Sequence, residues 1–288
     1  MTSQAQTPFT IVQATPAVED WETAFSNRKA IPDIGDWLAG STRRSATFVD
    51  GFEGRKELGR PYAQGDRRFF DVFEPVSQPK GTLVFIHGGY WRATAASDYH
   101  CFAAGALQRG WRVVMPDYPL CPSVSIRDIA NGITTAIDAI TQAFPDGPMI
   151  LSGHSAGGHL ASFAVSATSG LAEATRARIG RVVSLSGLHD LRPLLHATQL
   201  NSDLRLTLEE AAALSPALSQ PGHLFELMCI CGGGELPEFR RQNRLLADIW
   251  SGFGIATSAI ECGTLDHFRI LDLITDPDQP LTRALTGE

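Results

Sequence analysis

The sequence has no apolar run near the roughly 20 residues that a membrane-spanning helix requires, so no span is expected. It also lacks a basic excess: 24 Lys and Arg stand against 31 Asp and Glu, a net charge of −7. Nucleic-acid binding relies on Lys and Arg to neutralise phosphates, and docking on an anionic bilayer needs a basic patch, so neither partner is expected. Cysteines are few and odd in number, five in 288 residues, with no disulfide-framework spacing. Cys229 and Cys231 flank Ile230 in a strand-like run, where both should face one side as small buried groups rather than as zinc ligands. The first residues, MTSQAQTPFT, show neither the basic region nor the apolar core of a secretory signal. Internal repeats and low-complexity tracts are missing too. These absences together predict a reduced, cytoplasmic protein whose partner is a small molecule, and they leave a homo-oligomer open.

What is present is core-forming material: 43% of residues are hydrophobic and 19% charged, an ordinary globular balance. The length suits one domain, with 1–60 reading as short helices and loops of a packing segment and 61–288 as the main body. From about Arg67 short apolar runs alternate with longer amphipathic stretches. Strands are predicted at 67–74, 82–87, 111–115, 148–152, 179–185, 225–231 and 255–261. Helices are predicted at 98–109 (closed by Gly110), 125–144, 156–167 and 237–251, with a last one from about 267. Ile126, Ile129, Ile133, Ile137 and Ile140 keep helical spacing behind a Ser cap at 123 or 125. Strand and helix in alternation mean a mostly parallel sheet with helices on both faces, and ligands at the carboxyl ends of its strands. The irregular insertion 186–224 and the N-terminal segment are the candidates for a small cap.

Chemistry concentrates first in Gly153-His154-Ser155-Ala156-Gly157, a G-x-S-x-G between a predicted strand and a small-residue helix. A sharp strand-to-helix turn lifts the Ser155 hydroxyl above the sheet, and the Ala156 N–H at the helix start faces a developing oxyanion. The bland alternative is a glycine-rich turn with a solvated serine. His87-Gly88-Gly89-Tyr90-Trp91 follows the strand TLVFI. Without Cβ atoms, the N–H groups of Gly88 and Gly89 can converge on a substrate oxygen. His87 reads as an anchor of this loop, and Tyr90 and Trp91 as a substrate wall or as packing. This order of strand, elbow and oxyanion loop resembles the α/β-hydrolase fold.

That fold requires a base and a carboxylate after the nucleophile, in the order Ser, acid, His. His87, His100 and His154 precede Ser155; His159 lies one helical turn beyond it; His189, His196 and His223 fall before or within the insertion. His267, after the last predicted strand, is the base candidate. Glu235 follows FELMCIC through GGG and is the favoured acid, with Glu238 in the same loop and Asp266 beside His267 as alternatives. A buried carboxylate there would fix the imidazole tautomer and stabilise the imidazolium.

HGGYW, GHSAGGH and SGLHDLRPL, together with Ser215-Pro216, GGGELPEF and DHF at 266–268, are similar to the kynurenine formamidase (arylformamidase) branch of esterase/lipase α/β-hydrolases. The resemblance extends to FSNRKAIPD and RPYAQGDRRFFDVFEP, so it covers most of the chain. It implies hydrolysis of an N-formyl aryl amide without cofactor or metal. It places the nucleophile on Ser155, the base on His267 and the oxyanion donors on Gly88 and Gly89. It departs at Glu235, where related esterases use Asp. A short-chain carboxylesterase or N-acylanthranilate-type amidase would use the same machinery. A binding protein on an inactive scaffold should lack a triad member, and a metal amidohydrolase should show clustered ligands; neither sign is found. If the leaving group carries a carboxylate, Arg92, or Arg192 behind it, is a candidate partner.

Overall fold

Eight strands build one sheet: β1 Lys56–Pro61, β2 Phe69–Phe73, β3 Thr82–Ile86, β4 Arg112–Pro116, β5 Met149–His154, β6 Ile179–Leu185, β7 Glu226–Gly232 and β8 Ala256–Cys262. Their spatial order in this computed structural model is β1-β2-β4-β3-β5-β6-β7-β8. β2 runs antiparallel to β1 and to β4, and every other pairing is parallel. Residues 17–287 are described; the first part of the predicted N-terminal segment, residues 1–16 with the MTSQAQTPFT start, lies outside them.

The seven predicted strands are all present, shifted by two residues at most. β1 was not predicted, and the expected boundary at residue 60 falls inside it. KELGRP is an edge strand, mostly exposed, so it carries no apolar alternation to read. β3 is buried at every position, as a strand covered on both faces must be. The helix Ile126–Ala143 buries its five-isoleucine stripe. Ser125 and Asp128 cap each other there: the Ser125 hydroxyl accepts from the Asp128 N–H at 3.1 Å, and the Asp128 carboxylate from the Ser125 N–H at 3.0 Å. Separate apolar clusters fill the two faces of the sheet.

Two differences concern helices. The stretch expected at 98–109 is a 3-10 helix, Ala96–Ala103, continuing as the helix Ala104–Gln108 and closed by Gly110 at φ 84°. The last helix does not begin near 267. A short 3-10 turn, Arg269–Ile274, is followed by a separate helix, Pro280–Thr286, because Pro277 and Pro280 cannot continue a helix ladder.

The chain leaves β3 in one direction to form β4 and returns on the other side of β3 as β5. The loops after β3 and β5 therefore flank a topological switch point, where such sheets open a crevice. Over that crevice lie N-terminal helices Trp21–Ala24, Asn27–Ala30 and Ile34–Gly51. Residues 186–224 contribute helices Thr198–Leu204 and Leu208–Ala213. The segments touch: Trp21 stacks on His196 at 5.4 Å, and Glu22 accepts from the Thr198 hydroxyl and the Gln199 N–H at 2.9 and 3.0 Å.

Candidate active site

At the end of β5 the backbone turns sharply into the helix Ala156–Ala164, and Ser155 occupies the turn at φ 56°, ψ −117°. Such a conformation for a non-glycine residue stores about 1–3 kcal/mol of strain. The flanking glycines are steric necessities. A Cβ on Gly153 would lie 2.3 Å from the Gly157 carbonyl oxygen, and one on Gly157 only 2.0 Å from that of Ile86. Gly88 is also pressed close, since its Cβ would stand 3.2 Å from that of Ser155 and 2.8 Å from the His154 carbonyl oxygen. The loop after β3 is thus held directly against the serine.

That loop is braced from below. Tyr118 stacks on His87 with ring centres 4.1 Å apart and donates its hydroxyl to the His87 carbonyl at 2.9 Å. His87 Nε2 meets Asp117 Oδ1 at 3.0 Å, and Arg67 forks onto the same carboxylate at 2.7 and 3.1 Å. Burial pushes the Asp117 carboxyl up, but hydrogen bonds from His87 and Arg67 outweigh it and hold it below its ordinary value. Thr94 donates to the Gly88 carbonyl at 2.8 Å, while Gly89, at φ 108°, accepts at its carbonyl from the N–H groups of Arg92 and Ala93. His87 is an anchor of the loop, as read from the sequence.

His267 follows β8 in a turn, not at the head of a helix. Its Nδ1 lies 2.7 Å from Glu235 Oε2, with both side chains at 2% exposure or less. The other Glu235 oxygen accepts from the Gly232 N–H at 2.7 Å and the Ser186 hydroxyl at 2.5 Å. An ionised carboxylate can only accept, so the His267 Nδ1–H is the donor in its contact with Glu235. Phe239 and Phe268 pack on the imidazole at 4.5 and 5.1 Å. His154 Nε2 donates to the His267 carbonyl at 2.7 Å, and burial drives the His154 ring well below its ordinary value.

The alternative acids are engaged elsewhere. Glu238 is forked by Arg241 at 2.7 Å and takes a bond from Gln242 at 2.8 Å. Asp266 accepts from the N–H groups of Phe268 and Arg269 at 3.0 and 2.9 Å. Ser155, His154, His267, Gly89, Tyr90 and Tyr99 are on the wall of one cavity of about 250 Å³.

Tyr90 and Trp91 part company. Tyr90 lines the cavity and donates its hydroxyl to the Phe25 carbonyl at 2.6 Å. The expected substrate contact of Trp91 is corrected: it is fully buried, edge-on to His159 at 5.1 Å, and does not line the cavity. Both residues have left-handed backbones, φ 51° and 56°, and this turn sends the second ring down into the core. Arg192 is bound to Asp190 by two bonds of 2.8 and 2.9 Å, off the cavity wall. Ser186 and the cavity residue Arg28 were not found from the sequence. A serine ending SLS and an arginine in FSNRK carry no pattern that marks them. Among the described residues no group of three or more His, Cys, Asp or Glu could hold a metal ion, and no helix is long and apolar enough to cross a membrane.

The model of the alpha/beta hydrolase family matches residues 83–281. Kynurenine formamidase of Danio rerio is 27% identical over 233 residues, 78% of this chain and 79% of the relative. That of Salmo salar is 26% identical over 237 residues, 79% and 80% of the two chains. Among solved structures, a Silicibacter protein carrying a provisional thioesterase name superposes with a TM-score of 0.85 at 35% identity, covering 92% of this chain and 98% of its own. Esterase B of Lactobacillus rhamnosis shares the fold at 18% identity, with a TM-score of 0.67 and coverage of 94% and 96%.

Proposed function

The chain belongs to the alpha/beta hydrolase family, and from that premise we propose that it removes a formyl or acetyl group from an aryl amide of the N-formyl-kynurenine type. The observation that carries this reading is the buried 2.7 Å pair of His267 and Glu235 beside a serine strained into a strand-to-helix turn. Ser155 attacks the acyl carbon while His267 Nε2 takes the hydroxyl proton. Glu235 holds Nδ1–H and stabilises the imidazolium. The N–H groups of Gly88, Gly89 and Ala156 receive the oxyanion, supported by the helix that starts at Ala156. His267 then returns the proton to the leaving arylamine, and water, activated by the same imidazole, releases the acid from Ser155.

The N-terminal helices, which bring Phe25, Asn27, Arg28 and Leu38 to the cavity wall, act as the cap that keeps bulk water from it, and residues 186–224 pack against them. A volume of about 250 Å³ suits a small acyl group with an aromatic ring and leaves little room for a long chain, whose insertion would cost about 1–3 kcal/mol in overpacking. An aryl ester with the same acyl group is the second reading, because the leaving oxygen needs the same proton from His267.

The test is a chain-length series from formyl to octanoyl on one arylamine and one phenol, with a fluorophosphonate label and Ser155→Ala as controls. Formyl and acetyl amides should be the best substrates, the label should sit on Ser155, and Ser155→Ala should lower kcat by about 10⁴ or more. A preference for octanoyl would refute the small-acyl reading, and labelling of another serine would refute the mechanism.

A further inference from the structure

The charge on the cavity wall runs against the charge of the chain. A protein of net charge −7 brings Arg28 and Arg92 to the cavity beside Ser155 and no Asp or Glu at all. Arg92 is neutralised where it stands by an ion pair with Asp203. Arg28, in the short helix Asn27–Ala30, is exposed and has no hydrogen bond or ion pair among the described residues. Surface arginines in an acidic protein readily find carboxylates, as Arg44, Arg55, Arg92, Arg192 and Arg283 do. Arg28 keeps its five donors free of partners among the described residues.

Its place adds a second constraint. A neighbouring cavity of about 260 Å³ is walled by Trp37, Tyr99 and Phe102 and by Asp98, whose carboxylate accepts from the Thr42 hydroxyl and the Ala95 N–H, and it shares Arg28, Leu38, Thr94 and Tyr99 with the cavity of Ser155. Arg28 therefore stands at the seam between the nucleophile's space and an aromatic-walled extension. Asn27 beside it is buried, belongs to the same wall, and has an Nδ2 without a partner. A cation and an unused amide next to aromatic surface describe the receptor for a ring that bears an anion.

We infer that Arg28 is a specificity-determining residue that pairs with a carboxylate on the leaving group, so that the preferred substrates are acylated aryl amines or phenols carrying that carboxylate. The inference rests on the proposed acyl-transfer site at Ser155 and adds to it the residue that reads the carboxylate of the leaving group. A guanidinium and a carboxylate match each other in two parallel hydrogen bonds, which a neutral amide of the same shape cannot reproduce. Because Arg28 is exposed, water and salt screen the pair, and the discrimination is expected to be about tenfold rather than thousands.

The experiment compares isosteric pairs: 2-formamidobenzoate with 2-formamidobenzamide, and 2-acetoxybenzoate with 2-acetoxybenzamide. For each pair the ratio of kcat/KM, acid over amide, is measured for the wild type, Arg28→Gln and Arg28→Lys. Comparing one ratio across proteins cancels the intrinsic reactivities of the compounds. Arg28→Gln should lower the ratio about tenfold, through KM more than kcat. Arg28→Lys should restore part of it, and 1 M salt should flatten the wild-type ratio. A ratio that Arg28→Gln leaves unchanged overturns the assignment even if formamides are excellent substrates. If only the acetoxy pair is hydrolysed and its ratio still depends on Arg28, the anion assignment stands and the formamidase reading falls.

Discussion

Acidification should destabilise this protein through histidines that have no business being charged, and His159 isolates the effect. His159 is fully buried, gives its Nε2–H to the Leu214 carbonyl at 2.8 Å and packs edge-on against Trp91. Burial pulls its ring from the ordinary 6.5 down to about 4, and His189 is pulled to about 3. A base with a depressed folded value takes its proton first in the unfolded chain. Its contribution to stability is therefore complete above about pH 6.5 and is lost as the pH falls from there toward about 4. At pH 5 the unfolded histidine lies about 1.5 units into its titration and the folded one has barely begun, which at 1.36 kcal/mol per unit is about 2 kcal/mol. Two such residues remove about 4 kcal/mol from a total of about 5–15. Asp117, Asp190 and Asp266 have lowered values, so their contributions fade only below about pH 4 and do not mask the effect. The assay is urea unfolding followed by circular dichroism at pH 7.5 and 5.0, for the wild type and His159→Gln. Gln retains an N–H for Leu214 but cannot titrate, so the stability lost between the two pH values should shrink by about 2 kcal/mol. Equal losses in both proteins would show that His159 is not held neutral by its surroundings.

Two further predictions concern the carboxylate behind His267. Glu235→Gln should lower kcat by about 10³–10⁴ with little change in melting temperature, whereas Glu238→Gln, which breaks a buried fork with Arg241, should cost about 3 kcal/mol of stability and far less activity; the reverse pattern would move the acid to Glu238. Ser186, at φ 53° with its hydroxyl on Glu235, is a positioning residue: Ser186→Ala and Ser186→Gly should both lower kcat about tenfold at unchanged KM. Gly, at ease with that backbone angle, should melt higher than Ala, and a kcat that follows stability instead would make the role merely structural.

How much of this was legible depends on whether a residue's task leaves a pattern. β3 and β5 are buried at every position and announce themselves as apolar runs. β1 faces water along most of KELGRP, so hydrophobicity could not reveal it. Gly153, Ser155 and Gly157 are legible because their spacing follows from one tight turn in which two Cβ atoms cannot fit. Glu235 could be ranked but not settled from sequence: Glu238 follows three residues later, and its place in the first turn of the helix Pro237–Ser251, forked by Arg241 and bonded by Gln242, is visible only in the structure. Trp91 misled because adjacency to Gly88 and Gly89 says nothing about direction, and two left-handed residues decide that. Ser186 and Arg28 act through contacts 49 residues away along the chain or through the lack of a partner, and neither condition is written in local sequence.

The Tyr90 hydroxyl on the Phe25 carbonyl joins stretches of chain 65 residues apart. The cavity wall needs Phe25, Tyr90, Ser155 and His267 at once, and bringing together residues so far apart in sequence is slow. A refolding molecule with a finished sheet but an undocked N-terminal strap would already look native by far-ultraviolet dichroism and yet present an unfinished site. Pulsed fluorophosphonate labelling during refolding would consequently lag behind the dichroism signal, and the delay between the two traces would time the fastening of that strap.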